Sequence, residues 1–122
     1  MKQTSFELAK QVHDKGIKIE NTEYWTNKAC VIINKDVLLI HPEYKEGSYP
    51  APTLDEWLDY LPMEIELITV TYRLTVMPQS DNRCTVGYMR AFGNFVYWSA
   101  ITSTSKNACD AAAEVAILAR EQ

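Results

Sequence analysis

Ile68-Thr69-Val70-Thr71-Tyr72-Arg73-Leu74-Thr75-Val76 alternates apolar and polar residues with a period of two. Ile68, Val70, Tyr72, Leu74 and Val76 fall on one side, and Thr69, Thr71, Arg73 and Thr75 on the other. Successive side chains of a strand point to opposite faces, so the pattern specifies a half-buried antiparallel strand with one wet and one dry face. Downstream, the same reading places strands at about 65–77, 83–89 and 95–101. Pro78-Gln79-Ser80-Asp81-Asn82 and Ala91-Phe92-Gly93-Asn94 supply the turns between them. A helix over 105–121 follows, with Ser105 as its cap. Ala108, Ala112, Val115, Ala116 and Ala119 form a narrow seam of small residues that lets the helix lie close to a sheet, with Lys106 and Glu114 facing outward.

Upstream, Thr4-Ser5-Phe6-Glu7 has the form of a capping box, with Thr4 as the helix cap. Phe6, Leu8, Ala9 and Val12 make one apolar side of a helix over 5–15, and Gly16 ends it. Residues 21–28 read as a loop around Tyr24 and Trp25. Ala29 to Ile33 and Val37 to Ile40 are two apolar, β-branched runs, and Asn34-Lys35-Asp36 between them is a hairpin connection; one longer bulged strand is the competing reading. His41 through Pro52 is a loop. Thr53-Leu54-Asp55-Glu56 is a second capping box, opening a helix over 53–61 that Pro62 stops. The expected architecture is a single α+β domain over 1–122, in the order αββαβββα. Its one antiparallel sheet, a hairpin plus a three-stranded meander, has helices packed on one face.

The segment Ala51-Pro52-Thr53-Leu54-Asp55-Glu56-Trp57-Leu58-Asp59-Tyr60-Leu61 resembles the A-P-T…W-L segment of small phage and prophage proteins, especially those of gut Bacteroides. An E-x-A-K helix ending in glycine also precedes it there. Here that helix is Glu7 to Gly16, with Glu7-Leu8-Ala9-Lys10 intact. A strand meander and an Ala-rich C-terminal helix follow in both. Lys106-Asn107 departs from the pattern, standing where it has an aromatic and an acidic residue. The resemblance implies a phage or prophage origin and an α+β fold, and it implies no activity.

Composition excludes several classes. A chain of 122 residues that is 47% hydrophobic and 23% charged is ordinary for a globular domain and too apolar for disorder. The net charge of −4 opposes broad phosphate binding and is too small for an acidic mimic of nucleic acid. No run of about 18 apolar residues is present, and the N-terminus lacks a continuous apolar core of a signal peptide, so the expected location is the bacterial cytoplasm. Cys30, Cys84 and Cys109 are odd in number and widely spaced, which favours reduced thiols over a disulfide framework.

No chemical signature emerges. His13, His41 and the cysteines never fall at metal-ligand spacing, and glycines never fall in a phosphate-loop context, so no metal or cofactor is expected. His13 suits the negative end of its helix. Cys84 and Cys109 read as packing residues. Asp55, Glu56, Asp59, Glu64 and Glu66 read as a solvated face, plus acidic residues at a helix start where the dipole favours them. Arg90-Ala91-Phe92-Gly93-Asn94-Phe95-Val96-Tyr97-Trp98 echoes an RNA-binding strand signature, but Asn94 is inserted. Phe92-Gly93-Asn94 therefore reads as a turn and the aromatics as sheet packing. What remains is a non-enzymatic accessory protein that binds another macromolecule. Trp25, Tyr44, Tyr49 and Trp98 are the candidate contact residues, because aromatic residues dominate binding hot spots. The expected partner is another protein, with self-association left open and nucleic acid and membrane disfavoured. The rival reading is a small enzyme or ligand-binding domain whose site converges only in three dimensions.

Overall fold

The computed structural model describes residues 3–26, 31–41, 43 and 47–121. Ala29, Cys30 and Tyr44 lie outside them. In chain order the elements are α1 (Phe6–Asp14), β1 (Glu23–Trp25), β2 (Ile32–Asn34), α2 (Lys35–Ile40), β3 (Tyr49–Pro50), α3 (Leu54–Tyr60), β4 (Glu64–Leu67), β5 (Val70–Pro78), β6 (Cys84–Phe92), β7 (Phe95–Ser105) and α4 (Ala108–Arg120). The α+β class is as expected, but the strands form two antiparallel sheets rather than one. A small sheet has the order β2-β1-β3, and a four-stranded meander the order β4-β5-β6-β7.

The small sheet arises because residues 23–25 and 49–50, expected within loops, are strands β1 and β3, and β1 pairs with both β2 and β3. Two further local changes alter the expected order. Residues 37–40, expected as a strand, are helical in α2. Asn34 caps that helix, its Oδ1 accepting from the Asp36 N–H at 2.9 Å. A short apolar run fits either period, and the Asn cap tips it toward helix. The expected strand over 65–77 is folded on itself. Leu67 pairs with Val70, and Ile68 and Thr69 form the turn with φ of 49° and 65°. Positive φ at both central positions belongs to the turn whose twist suits a two-residue hairpin. Val70, Tyr72, Leu74 and Val76 keep their half-buried face, but Ile68, at the tip, is 95% exposed.

The helix ends are legible residue by residue. At the end of α1, Gly16 takes φ of 72°. Its N–H reaches the His13 carbonyl, and that of Ile17 reaches the Val12 carbonyl, a Schellman closure with Val12 and Ile17 both buried. At α3 the expected capping box forms: Thr53 Oγ1 accepts from the Glu56 N–H at 3.3 Å, and Glu56 Oε1 accepts from the Thr53 N–H at 2.9 Å. The other two caps shift. α1 begins after Ser5, not Thr4, and the Ser5 N–H donates to Asp110 Oδ1 at 2.7 Å. α4 begins after Asn107, not Ser105; Asn107 Oδ1 accepts from the Cys109 N–H at 3.0 Å while its Nδ2 donates to the Gln3 carbonyl at 2.9 Å.

Thr4 is displaced from capping because its hydroxyl is bonded elsewhere. The residue is fully buried. Its N–H and Oγ1 both donate to the Pro52 carbonyl, at 2.9 and 2.8 Å. Oγ1 also accepts from the indole N–H of Trp57 at 2.8 Å, and the Thr4 carbonyl accepts from the indole N–H of Trp25 at 2.8 Å.

The core runs from α1 (Leu8, Val12) through α3 (Trp57) and α4 to Val86, Tyr88 and Ile101 of the meander. α4 packs on β6 and β7, α1 and α3 pack on α4, and α1 carries β3 of the small sheet. Because α4 touches elements on several sides, its buried surface is wider than the expected seam: Cys109, Ala111, Ala112, Ala113, Val115 and Ala116 are all buried, while Ala108 is only half-buried. Glu114, expected to face solvent, instead accepts a hydrogen bond from the Ser103 hydroxyl of β7. A bulge in β7 sets three residues, 99–101, opposite Tyr88. Beside it, a Cβ on Gly87 would stand 2.4 Å from Thr102 Oγ1 and 2.7 Å from Thr102 Cα, so only glycine lets the strands approach this closely.

Thr4→Val keeps the volume and removes the hydroxyl, leaving a buried indole N–H and a carbonyl short of partners. A loss of about 1–3 kcal/mol is expected, read from urea midpoints, with Thr4→Ser close to wild type. Replacing Ile68-Thr69 by Asn-Gly removes two β-branched residues from left-handed backbone and loses no burial at position 68. It is expected to raise stability by roughly 1 kcal/mol in the same measurement. An unchanged midpoint would contradict the turn geometry.

Candidate functional site

α4 and β7 differ in length, and the difference leaves part of the meander uncovered. The 13 residues of α4 extend about 20 Å, while the 11 residues of β7 extend about 36 Å. The helix starts just after Ser105, so the opposite end of the β6–β7 hairpin projects beyond it. Phe92 pairs with Phe95 across the Gly93-Asn94 turn, Ala91 with Val96, Arg90 with Tyr97 and Met89 with Trp98. The β5–β6 ladder stops at Arg73–Met89. Beyond it the sheet divides into two hairpin tips, one at Ile68-Thr69 and one at Gly93-Asn94.

Alternation along β6 puts Arg90 and Phe92 on the same face as Val86 and Tyr88, and pairing adds Tyr97 and Phe95 to it. Phe92 is 63%, Phe95 66% and Tyr97 51% exposed. Phe95 and Tyr97 are neighbours with ring centroids 6.5 Å apart, and the Arg90 guanidinium lies over the Phe92 ring at 5.4 Å. Val96, 49% exposed, and half-buried Trp98 stand on the other face. The tip thus presents three aromatic rings and a guanidinium on one side and apolar groups on both. The expected turn at 92–94 is present. The expectation that the following aromatics pack within the sheet is corrected: Phe95 and Tyr97 lie past the end of the helix that covers the rest of that face.

The four candidate contact residues lie in different surroundings. Tyr49, expected to reach the surface, is 8% exposed, with its ring against Phe6 (5.7 Å) and His13 (5.2 Å). Trp25 is half-buried, edge-on to Phe6 at 6.0 Å, with its N–H on the Thr4 carbonyl. Both rings tie the small sheet to α1. Tyr44 lies outside the described residues. Trp98 adjoins the exposed tip and is not part of the core cluster. Phe92, expected in a turn, and Phe95 and Tyr97, expected as sheet packing, are not among the four expected contact residues. The available signal was a run of aromatics on both sides of a two-residue turn, longer than the helix that follows can cover.

A second feature is an open cleft of 610 Å³ lined by Glu20, Asn21, Thr22, Lys35, Glu56 and Asp59, among others. The Glu56 carboxylate is held in its wall, Oε1 by the Thr53 N–H and Oε2 by the Thr22 N–H at 2.9 Å. Asn21 is buried. Its Nδ2 donates to the Glu23 carbonyl, and its Oδ1 has no hydrogen-bond partner among the described residues. Among the described residues no histidine or cysteine lines this cleft. His41 Nδ1 lies 3.2 Å from Glu43 Oε1 at an exposed site, and Glu64 accepts from Arg73 Nε at 3.1 Å across β4 and β5. Among the described residues no group of three or more His, Cys, Asp or Glu side chains is placed to hold a metal ion, and no helix is long and apolar enough to cross a membrane. Burial pushes the Cys84 and Cys109 thiols up, away from the thiolate that nucleophilic chemistry needs.

Comparison of the chain with family models, curated proteins and solved structures finds no match.

Burial also raises the Tyr88 phenol to about 12, and its hydroxyl donates to the Pro62 carbonyl at 2.7 Å. The unfolded phenol titrates near about 10. Because the folded value is the higher one, the neutral form favours folding. That contribution is complete below the unfolded value and is lost as pH rises through the folded one. Urea midpoints are therefore expected to fall between about pH 10 and 12, and the fall is expected to shrink in Tyr88→Phe. Parallel pH profiles for the two proteins would contradict this assignment.

Proposed function

We propose that this chain is a non-enzymatic accessory protein, of phage or prophage type, that acts by binding another protein through the aromatic tip of its β6–β7 hairpin. The observation that carries the reading is the joint exposure of Phe92, Phe95 and Tyr97 with Arg90 on one face. Large rings and arginine supply most hot-spot energy at interfaces, since they bury much area at a low cost in side-chain entropy. A rigid hairpin anchored by the Gly87 contact and the Tyr88 hydrogen bond holds them in place before any partner arrives, which lowers the ordering cost of binding.

The acidic balance supports a protein over a nucleic acid. At a net charge of −4, Arg90 stands without a surrounding basic field to draw in phosphates. The acidic cleft supports no comparable reading for catalysis, because its best-placed carboxylate is bonded to two backbone N–H groups.

The test compares the wild-type chain with Phe92→Ser/Phe95→Ser. Both side chains are exposed, so the urea midpoint is expected to stay within about 0.5 kcal/mol of wild type. Capture of a reproducible partner from bacterial lysate by the wild type, lost in the double variant, supports the reading. Equal capture by both sinks it. Salt-dependent binding of single-stranded RNA or DNA that the double variant loses would reassign the tip to nucleic acid.

A further inference from the structure

The two edges of the meander are built differently. One edge, β4, has four residues, and Glu64 and Glu66 put two charges along it. Short, charged edge strands resist pairing with other chains. The other edge, β7, has 11 residues, Phe95-Val96-Tyr97-Trp98-Ser99-Ala100-Ile101-Thr102-Ser103-Thr104-Ser105, with no charge, no proline and no glycine. Among the described residues its sheet neighbour is β6 alone. At the bulge the strand closes on itself: the Ile101 N–H donates to Ser99 Oγ at 3.1 Å, and Thr102 Oγ1 donates to the Ser99 carbonyl at 2.9 Å. The part left open runs from Phe95 to Trp98. Phe92 and Phe95 flank a two-residue turn, so their backbone groups face each other. By alternation, the N–H and C=O groups of Val96 and Trp98 face the open edge.

We propose that this edge takes the same edge of a second copy of the chain, antiparallel about a two-fold axis at Val96, joining two meanders into one continuous sheet. Two features favour a second copy over a different chain. The open segment carries no charge, so identical copies meet without repulsion, and the edge offers no counter-charge to select a charged strand. The segment is also self-complementary. Centring on Val96 lets the two Val96 residues exchange both backbone hydrogen bonds and sets Phe95 of each copy directly opposite Tyr97 of the other on one face. Aromatic pairs of this kind are among the favourable cross-strand neighbours. The proposal goes beyond the partner-binding reading and does not depend on it. Paired side chains stay on the sheet face, so the dimer sets two aromatic tips side by side.

The test is the mass of the full chain in solution, by sedimentation from roughly 1 to 300 µM, a range that spans micromolar dissociation constants. Twice the chain mass of 14.0 kDa is expected at the upper end. Val96→Lys puts like charges at the axis and is expected to weaken self-association roughly tenfold or more, whereas Thr104→Lys, beyond the bulge on the same strand, is expected to leave it unchanged. Amide hydrogen exchange gives a readout without substitution: the Val96 and Trp98 N–H groups are expected to exchange slowly at high concentration and faster on dilution. A monomer throughout overturns the proposal. So does a dimer that Val96→Lys leaves intact, a mass that grows past two chains, or exchange at Val96 that ignores concentration. Edge protection that appears only with a peptide of another protein also overturns it. Equal partner capture by the wild type and by Phe92→Ser/Phe95→Ser, with the wild-type dimer observed, would remove the partner-binding reading and leave this inference standing alone.

Discussion

The structure depends on the hydrogen bonds that converge on Thr4. One fully buried residue satisfies two indole N–H groups and a carbonyl, drawn from β1, α3 and the segment between β3 and α3. Each of those groups would cost free energy if buried alone. Gln3 and Ser5, its neighbours, bond to Asn107 and Asp110 at the start of α4. The first described residues of the chain therefore join the small sheet to the helix that carries the meander. Trp57 is fully buried because Thr4 accepts its only polar hydrogen, and the large ring then fills the centre of the core.

A second constraint is the mismatch between a helix rise of about 1.5 Å and a strand rise of about 3.3 Å per residue. α4 returns over the sheet from the end of β7 and runs out before the strand does. What it covers is core: Val86, Tyr88, Ile101 and Ser103 are buried. What it leaves bare on the same face is Arg90, Phe92, Phe95 and Tyr97. The Gly87 contact and the bulge opposite Tyr88 mark the boundary. Apolar groups placed beyond that boundary gain less burial from folding, and the proposed association rests on their exposure. The open, uncharged edge of the same strand follows the same logic, since an unpaired strand of this composition is a liability unless something covers it.

The cleft beside the small sheet belongs to a different economy of groups. Its acidic residues are partly structural, with Glu56 closing a capping box and holding the Thr22 N–H at once. A carboxylate that accepts from two backbone N–H groups, as Glu56 does, is pre-committed, which separates it from one of a pair facing across a site.

By itself the sequence determined the features whose causes lie within a few residues. The Thr53–Glu56 box, the Gly16 closure and the alternation of Val70 to Val76 all rest on contacts no longer than one helical turn or one pleat, so their spacing is sufficient evidence. Tertiary structure decided the rest. Thr4 and Ser105 have the chemistry of caps, but distant partners, Pro52 and Trp57 for one and the continuation of β7 for the other, took precedence. Residues 37–40 fit both periods until Asn34 capped them as helix. The Ile68-Thr69 turn hid in an unbroken alternation because its two residues lack the usual turn chemistry. Which aromatics face solvent depended on how far one helix reaches along one strand. That is a length in space rather than a pattern in the chain, and no local periodicity encodes it.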